Sequence, residues 1–358
     1  MNELLLTREF IELSHYAGMR FDLVQAGGGN SSVKLDGRTM LVKASGAHLS
    51  EIQESKGYVE VDYPEIARIV DSADEWHNVD RRLRDVEVVR QVSMATTPSP
   101  TGARASIEVF MHALLGRFVL HTHPIAVNLI ACRKDWDKIL NDLFSKSLCI
   151  SYYSPGIELG VMLYDELRAY QSKSGALPTV IFLQNHGLLI HGDTWKDVRL
   201  LTEDVVMKCE EFCGVDLKKY RMTSELAAYI GDGSIACLSE DQELIKIHQS
   251  TQWIESQRPL YPDSFVFCGV EPMILEDLKS PHALEKYREK YQTSPKVVLL
   301  NGLHYFIAQT VKKAKEIEEV YKAHTLVLAS LLQTPNYLSD DELAYLGNWE
   351  AEKYRKEK

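Results

Sequence analysis

The sequence predicts an α/β protein in two parts. A layered α/β domain occupies residues 1–235, and a smaller α/β domain occupies residues 259–332, ahead of a helical tail at 333–358. Three observations point there. Short apolar strand-like runs (Phe118–His123, Val180–Leu183, Gly187–Ile190) alternate with longer segments of helical spacing. The same alternation recurs on a smaller scale near the end. Between the two lies a breaker-containing stretch, Arg258-Pro259-Leu260-Tyr261-Pro262-Asp263.

The elements follow in order. Residues 7–24 have helical spacing, with Phe10, Leu13 and Ala17 on one face, until Gly27-Gly28-Gly29 breaks the pattern. Ser32–Leu35 and Met40–Val42 read as strands joined by Asp36-Gly37, a strong hairpin signal. Residues 76–92 are charged and helix-prone, and a proline- and threonine-rich stretch through Gly102 separates them from a helix expected over 106–115. The strand Phe118–His123 stops at Pro124, and a helix is expected soon after it. Lys196–Glu211 predicts a strong helix. In the tail, Ser264–Cys268 and Lys296–Leu300 are expected as strands around a charged helix at Pro281–Tyr291, and a Lys/Glu-rich helix follows over 311–332.

Composition narrows the function classes. A hydrophobic fraction of 45% with 25% charged residues is ordinary for a soluble globular chain. The longest apolar runs are too short to cross a bilayer. The N-terminus shows no cleavage site after its short apolar patch, so a cytoplasmic location is expected. Six scattered cysteines without a CxxC pair suggest neither a zinc knuckle nor a disulfide framework. The formal charge of −11 argues against a broad nucleic-acid surface, though a few local N–H groups and one cation suffice for a small anion.

His121 and His123 stand two apart in Phe-Val-Leu-His-Thr-His, so both imidazoles leave one face of a strand and can converge on a metal. The competing reading has two of twelve histidines two apart by chance and bonded to backbone. His186 follows a second strand and precedes Gly187. Three neutral imidazoles with an open fourth position describe a catalytic zinc site, provided the two strands adjoin. Glu108 is either a carboxylate working beside that metal or a solvated glutamate in the first turn of a helix. His112, four residues on, shares its helix face and reads as a core or capping residue. Gly27–Ser32 and Lys43-Ala44-Ser45-Gly46 offer backbone donors, hydroxyls and a cation, a combination able to cradle a phosphate. Neither a Walker A nor a dinucleotide glycine pattern is present in context.

Taken in order, these pieces resemble the class II aldolase/adducin family. The matching segments are Gly28-Gly29-Asn30-Ser31-Ser32-Val33-Lys34, Lys43-Ala44-Ser45-Gly46, Ser106-Ile107-Glu108-Val109-Phe110-Met111-His112, His121-Thr122-His123-Pro124 and Gln184-Asn185-His186-Gly187. They span roughly residues 5–215. Tyr261-Pro262-Asp263, Val266–Gly269 and Pro295–Gly302 are similar to the region after the aldolase part of long rhamnulose-1-phosphate aldolase/alcohol dehydrogenase proteins.

The resemblance implies a central, mainly antiparallel sheet flanked by helices and a homotetramer with sites near subunit contacts. It implies Zn²⁺, or another divalent ion, on His121, His123 and His186, and Glu108 as catalytic acid/base. Asn30, Ser45, Gly46 and Ser106 match positions that hold a substrate phosphate. Two residues depart from the pattern: Ile107 stands where some relatives have a second serine, and Gly27-Gly28 replaces a hydroxyl-containing turn. The implied reaction is cleavage of a ketose 1-phosphate, such as rhamnulose or fuculose 1-phosphate, to dihydroxyacetone phosphate and an aldehyde. The partner is then a small sugar phosphate, with neither nucleic acid nor membrane. The general acid in the family is often a tyrosine of a neighbouring subunit, for which Tyr152 and Tyr153 are candidates. Epimerisation, decarboxylation or dehydration of a sugar phosphate would use the same motifs. A non-catalytic assembly module like the adducin head needs no metal ligands, and the presence of all three histidines and Glu108 weighs against it.

Overall fold

Alternation of inward and outward side chains along each strand sets how the first part of the chain is built. The computed structural model describes residues 3–72, 79–99, 101–250, 257–331 and 335–348. The chain divides into two compact units, Met1–Leu217 and Lys218–Lys358. The first contains α1 (Glu3–Gly18), β1 (Asn30–Lys34), β2 (Thr39–Lys43), β3 (Tyr58–Asp62), α2 (Tyr63–Asp71), α3 (Arg81–Met94), α4 (Val109–Leu114), β4 (Phe118–Thr122), α5 (Ile125–Ala131), α6 (Trp136–Leu143), β5 (Leu148–Ile150), α7 (Ile157–Ser174), β6 (Val180–Leu183), β7 (Gly187–Gly192) and α8 (Trp195–Cys213).

Its seven strands form one sheet in the order β3-β2-β1-β4-β7-β6-β5. Every pairing is antiparallel except β5 with β6. Phe118 and Leu120 of β4, Phe182 of β6, and Leu188 and Ile190 of β7 face one core, which α1, α5, α6 and α8 cover. Val119, Ile181, Leu183 and Leu189 point the other way, into a core with α4 and α7, while Met40, Val42, Val59 and Val61 pack with α2, α3 and α4. The expected sheet between helical layers is therefore present.

Local chemistry fixes the ends. Asp36 Oδ1 accepts the Arg38 and Thr39 N–H groups at 2.7 and 2.6 Å, closing the β1–β2 hairpin. Thr194 Oγ1 accepts from the Asp197 N–H at 3.2 Å and starts α8, and Gly214 ends it at φ 67°. Between β6 and β7, Asn185 takes φ 52° in a tight turn, a conformation asparagine tolerates. The helix expected over 106–115 begins at Val109, because Ser106 Oγ accepts the Glu108 N–H (3.3 Å) and its carbonyl accepts the Val109 N–H (3.1 Å). Glu108 is thereby left just ahead of the first helical turn.

The second unit holds α9 (Lys218–Ile230), β8 (Ile235–Leu238), α10 (Gln242–Ser250), α11 (Pro262–Cys268), β9 (Met273–Leu275), α12 (Pro281–Tyr291), β10 (Val297–Leu300), β11 (Leu303–Ala308), α13 (Val311–Ser330) and α14 (Asp340–Asn348). Its sheet runs β8-β11-β10-β9, with only the β9–β10 pair parallel. Residues 218–235, which the sequence places with the first domain, thus form α9 and the start of β8 here.

Ser264–Cys268, expected as a strand, is helical. Pro262 occupies the first turn, the Tyr261 N–H donates to Ser264 Oγ at 3.3 Å, and Gly269 ends the helix at φ 83°. A run of only four apolar residues has no period of its own that separates helix from strand. The strand beside β10 is Met273–Leu275 instead. Of the tail at 333–358, residues 340–348 are helical, and residues beyond 348 lie outside the described ones. No helix among the described residues is long and apolar enough to cross a membrane.

Candidate metal centre

The strand before His186, β6, does not itself adjoin the His121 strand: β7, which follows His186, lies between them, and its pairing with β4 brings the β6–β7 turn beside His121. His121 is the last residue but one of β4, His123 lies just beyond the strand, His186 sits in the β6–β7 turn, and Glu108 precedes α4. One ligand atom from each of the four comes within 4.8 Å of all the others. His121 Nε2 is 3.1 Å from His123 Nε2 and 3.2 Å from His186 Nε2. Glu108 Oε1 stands 3.2 Å from His186 Nε2 and 3.5 Å from His121 Nε2.

These atoms suit a cation. His121 Nδ1 donates to the Leu188 carbonyl at 3.0 Å, which leaves the lone pair of Nε2 facing the cluster. A carbonyl behind a ligating imidazole is the usual way to fix its tautomer and orientation. Four ligands at about 2.0–2.1 Å around a tetrahedral ion lie roughly 3.3 Å apart, close to the spacings found here. Converging acceptors without a proton between them repel, and a divalent ion removes that repulsion. Three imidazoles and one carboxylate are borderline ligands of the kind zinc and its first-row neighbours take.

The surroundings set protonation. Burial pushes the His123 imidazole down to about 3, helped by His121 and His186, so the ring is neutral as metal binding requires. Burial alone would raise the Glu108 carboxyl, yet the adjoining His121 and His186 rings outweigh it and hold the acid well below the usual carboxylate range. Its other oxygen, Oε2, accepts from Asn30 Nδ2 at 2.5 Å. The solvated first-turn glutamate is therefore not what the fold contains: the Glu108 side chain is 12% exposed and turned into the cluster.

Backbone packing holds His123. Its N–H donates to the Leu23 carbonyl at 2.9 Å, and the Ile125 N–H donates to the Asp22 carbonyl at 2.9 Å. A Cβ at Gly28 would lie 3.1 Å from His123 Nδ1, and one at Gly187 would lie 2.3 Å from the Thr122 carbonyl oxygen and 3.0 Å from His123 Cδ2. Backbone leaves no room for a side chain at Gly187, while at Gly28 a Cβ would fit only if its neighbours gave way by a few tenths of an ångström.

The four residues matched to phosphate positions are placed as follows. Asn30 and Ser106 touch, Asn30 Nδ2 to Ser106 Oγ at 3.3 Å, and both lie beside Glu108. The buried Asn30 Oδ1 has no hydrogen-bond partner among the described residues. Ser45 and Gly46 are exposed in the loop after β2, tied to the Ser106 segment by the Ala44–Ala105 bridge and by Ser45 N–H to the Arg104 carbonyl at 2.8 Å. Ile107 is exposed. His112 is fully buried and bonded to Ser32, outside the four-residue cluster. No tyrosine side chain among the described residues hydrogen-bonds to the cluster, Tyr152 and Tyr153 included.

Some supporting residues carry no sequence signal. Asn128 Nδ2 donates to the His186 carbonyl at 3.3 Å and steadies that turn from α5. The buried Lys43 ammonium joins the two small-residue loops by donating to the Gly27 carbonyl at 3.1 Å and the Ala47 carbonyl at 2.7 Å. In sequence Lys43 reads only as a loop cation.

Residues 8–213 match the profile of the Class II Aldolase and Adducin N-terminal domain, more than half of the chain. The chain belongs to the class II aldolase and adducin family. Solved structures similar to it include the N-terminal class II aldolase domain of a conserved protein from Thermoplasma acidophilum (25% identity, 57% of this chain and 92% of that one, TM-score 0.48). Another is YgbL from Klebsiella pneumoniae, a putative aldolase/epimerase/decarboxylase (17%, 67% and 97%, TM-score 0.40). A third is L-fuculose-1-phosphate aldolase from Thermus thermophilus (15%, 64% and 98%, TM-score 0.34). At these TM-scores the likenesses add nothing to the assignment, which rests on the family profile. No curated protein matches the chain.

Proposed function

We propose that this family member is a zinc-dependent aldolase that cleaves a ketose 1-phosphate to dihydroxyacetone phosphate and an aldehyde. In this reading it works in the cytoplasm, in carbohydrate metabolism, as a homotetramer. The observation that carries the proposal is the double engagement of Glu108: Oε1 faces the imidazoles at 3.2–3.5 Å while Oε2 is held by Asn30 at 2.5 Å.

His121, His123 and His186 would hold the metal. A bound ion would supply a Lewis acid that polarises the sugar's carbonyl. Scission of C3–C4 leaves the bond's electron pair on the C3 side, and the C4 hydroxyl gives up its proton as it becomes the aldehyde carbonyl. Glu108, ionised at rest and held by Asn30, is placed to take up the proton so released and deliver one to C3, which restores its carboxylate. Asn30, Ser45, Gly46 and Ser106 would hold the phosphate, with the Lys43 ammonium behind their loops. Burial lowers the Lys43 pKa, and the Glu108 charge opposes that shift.

The test is metal analysis of the purified protein coupled to a panel of ketose 1-phosphates. The proposal expects bound zinc and release of dihydroxyacetone phosphate from at least one of them. Turnover of a sugar phosphate without release of dihydroxyacetone phosphate would replace aldol chemistry by epimerisation, decarboxylation or dehydration.

A further inference from the structure

The strand β1 grips the helix that carries Glu108 at three levels. Alternate residues of a strand share a face, and the three that reach α4 are Asn30, Ser32 and Lys34. Asn30 Nδ2 donates to Glu108 Oε2 at 2.5 Å, just ahead of the helix. Ser32 Oγ lies 2.8 Å from His112 Nδ1 in its middle. Lys34 Nζ donates to the Ala113 carbonyl at 2.9 Å and to the Leu115 carbonyl, at its end.

The helix has reason to need such a grip. It is six residues long, too short to persist alone, and the residue at its start makes no side-chain cap. Its last carbonyls have no helical partner and meet an ammonium instead. That ammonium also sits 4.4 Å from the centre of the Tyr63 ring, which steadies it from the other side. Meanwhile β1 is paired with β4 so that Asn30 stands opposite His121. One strand therefore registers both the histidine and the carboxylate.

We infer that Lys34 is a positioning residue for Glu108: by capping the end of α4 it fixes the helix against β1 and so sets where the carboxylate stands relative to the imidazoles. The inference rests on the reading of Glu108 as the proton carrier. Lys34 touches no reacting atom in it.

The test compares wild type with Lys34→Met and Lys34→Arg in two readouts. In metal-free protein, amide hydrogen exchange over residues 109–115 should speed up on the order of tenfold in Lys34→Met, with β6 and β7 unchanged. In zinc-loaded protein, solvent deuterium exchange into dihydroxyacetone phosphate should fall about 10–100-fold at unchanged zinc content, and Lys34→Arg should recover most of both. Unchanged amide exchange would mean that no clamp exists. Faster amide exchange with undiminished substrate exchange would make Lys34 merely structural and overturn the inference. A wild type that exchanges nothing at full zinc loading would remove the role of Glu108, and the inference with it. Should Lys34→Met fail to fold, Ser32→Ala breaks the middle contact more gently and is read by the same outcomes.

Discussion

Asn30 and His121 stand directly opposite one another across the β1–β4 pair, so an amide that holds the Glu108 carboxylate and an imidazole that faces it are set by one strand register. A slip of one residue would send every side chain of β1 to the other face. The centre is thus built from backbone pairing before any side chain is counted.

The metal ligands give the first expectation. His121→Ala or His123→Ala should weaken zinc binding by more than the roughly 10–100-fold that loss of a partner behind a ligand costs. Zinc content measured after dialysis against a weak chelator checks it. Wild-type content in either variant would sink the ligand assignment.

How much of this was legible in the sequence depends on the range of the interaction. Strand spacing alone shows that His121 and His123 share a face, and Asp36-Gly37 announces its hairpin. That His186 joins them depends on β6 and β7 folding back through Asn185 so that β7 lies against β4, which no local pattern states. The resemblance supplied it. Local pattern alone leaves Glu108 open between a working carboxylate and a solvated first-turn residue, because the β1 contact that turns it inward comes from 78 positions away in the chain. Ser264–Cys268 misled because a run of four apolar residues after a serine fits either period, and the proline and glycine at its ends decided for helix.

Gly187 tests the crowding around His123. In Gly187→Ala the new Cβ would stand 2.3 Å from a backbone oxygen, so β4 and the turn must separate. A loss of about 1–3 kcal/mol in chemical denaturation is expected, together with weaker zinc binding. A variant with wild-type stability and zinc affinity would contradict the packing argument.

Behind the His123 segment, Arg20 and Asp22 form a fully buried pair, with Glu203 and Tyr16 also on the guanidinium. Arg20→Met would strand the Asp22 carboxylate without its cation. The expected cost is about 3–5 kcal/mol, read by denaturation at neutral pH. A cost below about 1 kcal/mol would place the pair among ordinary surface ion pairs.

The second unit should be acid-sensitive. Burial pushes His304 to about 4, with His248 adding to the effect and Asp241 opposing it, and burial pushes His324 to about 4. Both therefore bind protons more readily when unfolded, where the ordinary value is about 6.5. Stability is fully present above about 6.5 and is lost as pH falls toward about 4, at up to roughly 1.4 kcal/mol per pH unit for each ring. Denaturation of the whole chain, followed by a probe in the second unit at pH 7 and pH 5, measures it. His324→Gln should flatten the dependence, and an unchanged slope in that variant would remove His324 from the account.

The central claim is that Glu108 carries a proton at a metal held by three histidines. It is tested most directly by solvent deuterium exchange into dihydroxyacetone phosphate, comparing wild type with Glu108→Gln at matched zinc loading. The account predicts that wild type exchanges the hydrogen next to the carbonyl and that Glu108→Gln keeps its zinc but loses at least about 100-fold in rate. Exchange at the wild-type rate in Glu108→Gln would contradict it.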